Sequence, residues 1–127
     1  MIYIVQNLVP ITLAAALGLG IWALWLRRGR IRRPSVSGWV LNAAAMFWLS
    51  AILAGALILA PVEADVWAVT LGTAVIIWGG FVLPVLAITL ATARQRTARI
   101  GGAIAIWLLI MLVQAAAMRS IGLTAPI

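Results

Sequence analysis

The chain contains no cysteine and no histidine. Without cysteine it has neither disulfides nor thiolate chemistry. Without histidine the commonest metal ligand, the usual haem ligand and the commonest general base are all missing. Carboxylates are almost as scarce, because Glu63 and Asp65 are the only acidic side chains. All nine basic residues are arginine. So little acid–base chemistry does not make an active site, and no enzyme is expected. Ser50 has no candidate base, so a serine hydrolase finds no support. Glu63 and Asp65 stand two residues apart, but two oxygen donors without His or Cys make a weak metal site. No catalytic, metal-binding or cofactor-binding residue is therefore assigned.

What the chain has in abundance is apolar surface. Of its 127 residues 66% are hydrophobic and only 9% charged, with a mean hydropathy of +1.21. A water-soluble domain of this composition would expose large apolar patches, so the consistent solvent is a lipid bilayer. A spanning helix needs roughly 20 apolar residues. Four such runs occur, at about 2–26, 38–60, 66–92 and 100–118. They are too long for membrane-barrel strands and lack the two-residue alternation. Backbone groups in lipid must pair internally, which leaves helices. The expected fold is an all-α membrane protein with a single transmembrane domain. Short connections at 61–65 and 93–99 predict an antiparallel four-helix bundle. The amino terminus lacks the basic region of a cleaved signal peptide, and its apolar run continues too far.

Orientation follows from the arginines. "RRGRIRRPS" places Arg27, Arg28, Arg30, Arg32 and Arg33 in the first connection. Arg94, Arg96 and Arg99 stand in the third, and Arg119 alone falls on the other side, with Glu63 and Asp65. This bias predicts both arginine-rich loops in the cytoplasm and both termini outside, in a bacterial inner membrane. The net charge of +7 does not point to nucleic acid, since these arginines border apolar segments. Anionic lipid headgroups are the expected contact, at about 1 kcal/mol per basic residue near the surface. An acidic cytoplasmic partner is the other reading of the same loops. Glu63, Asp65 and Ser37 are expected at helix starts, with Pro34 and Pro61 outside helices. Trp22, Trp25, Trp39 and Trp67 take ordinary aromatic-belt positions.

Few polar groups fall within the runs. Asn42 and Gln114 are the costly ones, and interhelical hydrogen bonding is their expected role. Thr12, Ser50, Thr70, Thr73 and Thr89 are milder. No ionisable residue lies near the centre of a run, so a small multidrug exporter is not supported. Trp48, Trp78 and Trp107 lie deep. They are expected to fill gaps left by small residues, or else to form a contact surface for lipid, quinone or pigment. Ala51 with Gly55, and Gly101 with Ala105, have the spacing that lets helices approach closely. In "WGGFVLP", Pro84 lacks an N–H and clashes with the carbonyl of Gly80. A kink near Gly79 and Gly80 is expected, serving packing around a neighbour, with gating of a pathway as the alternative. Pro10 is expected to disturb the first helix similarly.

The length, the four runs, "WGGFVLP" and the final "IWLLIMLVQAAAM" resemble small bacterial four-helix inner-membrane proteins of unknown function. The resemblance runs from about Trp39 to Gly122 and brings no active residues with it. The expected function is a non-catalytic integral membrane subunit, an accessory or structural component of a larger membrane assembly or of its own oligomer. A homo-oligomeric channel or small-solute transporter is the alternative.

Overall fold

The computed structural model describes residues 2–29, 34–60 and 65–124; Arg30, Arg32, Arg33, Pro61 and Glu63 lie outside them. Among the described residues every regular element is helical: α1 (Ile2–Gln6), α2 (Leu8–Arg28), α3 (Val36–Leu59), α4 (Val66–Ile77), α5 (Leu83–Thr92) and α6 (Thr97–Ile121). A π-helical turn, Trp78–Val82, joins α4 to α5. Four helices are long and apolar enough to cross a bilayer: Leu8–Arg28, Val36–Leu59, Val66–Thr92 and Thr97–Ile121.

Each irregularity has a local cause. α1 and α2 part at Asn7, whose φ of −116° and ψ of 28° leave the helical region. Pro10, three residues on, has no N–H for the carbonyl of Gln6 and crowds it. In the third span Pro84 likewise cannot donate to Gly80. The chain answers with the wider π turn, in which the N–H of Leu83 bonds the carbonyl of Trp78, five residues back. The second span begins two residues before its expected start, and the expected cap Ser37 is corrected to Ser35. The Ser35 hydroxyl accepts from the N–H of Gly38 at 3.3 Å, while Ser37 only meets Ser35 at 3.0 Å. Asp65 does cap α4, accepting from the N–H of Ala68 at 3.2 Å.

The turn from α5 to α6 closes tightly. Arg94 N–H bonds the carbonyl of Ala91, and Gln95 N–H that of Leu90, both at 3.0 Å. This is the Schellman pattern, and it needs a left-handed residue between them. Arg94 fills that place with φ of 57°, where glycine would be unstrained.

α6 is the hub. It packs most heavily on α2 and along the whole third span, while α3 packs chiefly on α2 and meets α4 and α6 only lightly. Met111, Ala115 and Met118 of α6 are fully buried in one cluster with Ile11 and Ala14 of α2 and Ala51 and Ala54 of α3, and Ile110 in a second with Ala15 of α2 and Met46 of α3. Gly18 makes this crossing close. A Cβ there would stand 2.5 Å from Gln114 Nε2 and 2.8 Å from Met46 Sδ. Gly20, two residues on, has open space.

Gly18→Ala should therefore destabilise the fold by about 1–3 kcal/mol through overpacking. Gly20→Ala should be neutral or stabilise by up to about 1 kcal/mol through helix propensity. Reversible unfolding in mixed micelles measures both, and equal effects would contradict the packing described.

Candidate functional site

The polar groups that sequence marks as costly separate sharply. Gln114 is fully buried. Its Nε2 donates to Ser50 Oγ at 3.0 Å and to the carbonyl of Ala14 at 3.3 Å. One amide so ties α6 to α3 and α2. Its Oε1 has no partner among the described residues. Asn42 corrects the expectation: it is half-buried and makes no hydrogen bond among the described residues. Thr70, Thr73 and Thr92 donate to the carbonyls of Val66, Val69 and Ile88 of their own span. Thr70 also accepts from Nε of Arg119 at 2.8 Å, which ties the half-buried arginine at the end of the fourth span to the third.

Sequence reasoning missed Asn7. It is 1% exposed, and its amide clasps the backbone beyond α6. Nδ2 donates to the carbonyl of Thr124 at 2.7 Å, and Oδ1 accepts from the N–H of Thr124 at 2.6 Å. The signal was an amide three residues before Pro10, where the broken helix leaves backbone to pair. Tyr3 was missed as well. Its hydroxyl donates to the carbonyl of Ala51 at 3.0 Å, with its ring in the space beside Gly55. Gly55 therefore admits an aromatic ring rather than a second backbone.

The third span faces outward. It has the highest mean hydropathy of the four, 2.3, yet only 6% of its window is buried, against 28–33% for the others. Gly79 and Gly80 are exposed, and among the described residues nothing lies within 4 Å of a Cβ placed on either. The expectation of close packing at these glycines is thus not met within the chain. Ile76, Phe81, Val85 and Ile88 continue the outward surface. Trp78 turns the other way, and its indole N–H donates to the carbonyl of Ile104 at 2.9 Å. Trp48 fills no gap and is 53% exposed.

Trp107 is paired, in a place the sequence did not indicate. Its ring lies 5.4 Å from that of Trp22, which lies 5.0 Å from Trp25. The three rings line a cavity of about 220 Å³ together with Leu90, Gln95 and Arg99. This cavity gathers the end of α2 and the α5–α6 turn, so both arginine-bearing segments lie at one end of the molecule. Arg27, Arg28, Arg94 and Arg96 are exposed there and Arg99 is half-buried. Arg30, Arg32 and Arg33 lie outside the described residues.

No protein-family model, no curated protein and no solved structure matches this chain.

The orphaned Oε1 makes a test of Gln114 possible. Gln114→Leu keeps the volume and removes an unpaired acceptor, and the Ser50 hydroxyl can turn to its own helix. It should cost less than about 1.5 kcal/mol, whereas Gln114→Ala should cost about 2–5 kcal/mol through the cavity it opens. Equal losses in micellar unfolding would show that the amide, not the packing, holds the three helices.

Proposed function

We propose that this protein is a non-catalytic, multi-pass membrane subunit that associates with other transmembrane helices through the outward face of its third span. The observation that carries this reading is the open surface around Gly79 and Gly80. The most apolar helix is the one least used by its own bundle. Its two adjacent glycines and the π turn remove side chains in the middle of that face. A partner helix gains close dispersion contact at such a place, which flexible lipid tails fill less well.

The topology proposed with it is an antiparallel bundle in a bacterial inner membrane, with arginine loops cytoplasmic and both termini outside. Support comes from the contacts of α6 with α2. Thr124 meets Asn7, Gln114 meets Ala14, and Gly102 lies by Trp25. Residue numbers therefore rise on one helix as they fall on the other. Arg27, Arg28, Arg94 and Arg96 gather at the end that the positive-inside rule assigns to the cytoplasm.

The alternative, a homo-oligomeric channel or small-solute transporter, has less support. Its pathway would need polar side chains on an outward face. Gln114 and Ser50 instead bond each other inside the bundle, and Thr70, Thr73 and Thr92 bond their own helices.

The chain has no native cysteine, so single-cysteine variants report cleanly. In intact cells a membrane-impermeant maleimide should label Asp65→Cys and leave Gln95→Cys unlabelled until the membrane is opened. The reverse pattern would invert the topology. A photo-crosslinker at Ile76 or Phe81 should give a protein adduct in native membranes, and one at Val40 on the second span should not. Adducts with lipid alone at all three positions would remove the subunit reading.

A further inference from the structure

We propose that the tryptophan-lined cavity between α2, α5 and α6 is a specific site for one anionic phospholipid from the leaflet at the arginine-bearing end. The lipid would sit with its phosphate at Arg99 and its upper acyl segment against the indole rings. This site does not depend on what covers the third span.

Charge is the first argument. The only carboxylate side chains are Glu63 and Asp65. Asp65 caps α4, at the far end of the 27-residue third span from Arg94. At about 1.5 Å per residue that is roughly 40 Å. Glu63 is only two residues further along the chain. Among the described residues no carboxylate side chain lies at the arginine-bearing end. Arg99 also lies in the first turn of α6, where the helix dipole disfavours a cation. An anion from outside the chain is therefore the charge partner open to it.

Shape and donors make the cavity more than a basic surface. Three aromatic rings form one wall, Leu90 closes the α5 side, and Gln95 and Arg99 supply the polar rim. Apolar body and charged rim meet in one pocket, as they do in a phospholipid at the level of its glycerol. Among the described residues Trp78 is the one tryptophan whose indole N–H is bonded. Those of Trp22, Trp25 and Trp107 are free to donate to ester or phosphate oxygens. The volume decides between occupants. Pockets that enclose a drug-sized ligand hold about 300–1,000 Å³. At about 220 Å³ this one is too small to enclose a pigment macrocycle, and the charged rim favours an anionic headgroup over a neutral quinone. It suits a short stretch of one acyl chain whose remainder continues into the bilayer.

The test is native mass spectrometry of the detergent-purified protein, titrated with phosphatidylglycerol and with phosphatidylcholine of the same acyl chains. One phosphatidylglycerol should bind in preference to phosphatidylcholine. Arg99→Gln should weaken it about fivefold, the share of one guanidinium near a surface. Arg28→Gln, at the same end but not lining the cavity, should change it by less than about twofold. Leu90→Trp fills the cavity without altering charge and should abolish the bound lipid while helicity by circular dichroism is kept. Equal weakening by Arg99→Gln and Arg28→Gln would mean diffuse surface attraction and overturn the proposal. So would undiminished binding to Leu90→Trp, or equal binding of the two lipids.

Discussion

A chain in hydrocarbon has no water to satisfy its polar groups, and every departure from regular helix here is shaped by that constraint. Pro10 and Pro84 each take a hydrogen-bond donor out of a helix. At Pro84 the chain continues through a π turn that shifts the bonding by one residue. Near Pro10 the helix breaks at Asn7, and that residue's buried amide pairs with the backbone of Thr124 beyond the fourth helix. Two prolines thus have different outcomes, one making a widened helix and the other a clasp between distant parts of the chain.

The same constraint explains how much of the fold could be read from sequence. Span number and approximate limits follow from hydropathy, and the helix start at Asp65 from its carboxylate. Ser35 and Ser37 could not be told apart, since both are serines just beyond Pro34 and only backbone geometry selects which hydroxyl accepts from the helix N–H. The weight carried by α6 was not legible at all. Hydropathy gives each apolar run the same signature, whether it lies at the centre of a bundle or at its edge. The hub is betrayed only by Gln114, and its neighbour Gly18 becomes meaningful once the two are seen to meet.

The candidate sites show a parallel limit. Trp107 was recognisable as unusually deep, but its partners Trp22 and Trp25 sit where belt tryptophans are common, so nothing in composition joined the three. Gly79 and Gly80 looked like packing residues, and among the described residues nothing fills the space at their Cβ positions. Asn42 and Gln114 are chemically alike, yet one is half-buried and the other ties three helices together. Burial, which depends on tertiary contacts, separates these pairs, and residue type does not.

The order of the four spans along the chain bears on how the protein is made. Ribosomes deliver the segments in order, so Val66–Thr92 enters the membrane before Thr97–Ile121, its principal neighbour, has been synthesised. Until then it touches the second helix only lightly and must stay inserted by its own greasiness, which is the greatest of the four. α6 then slots between segments that precede it in the chain, and Thr124 reaches Asn7 only after all four spans have been translated.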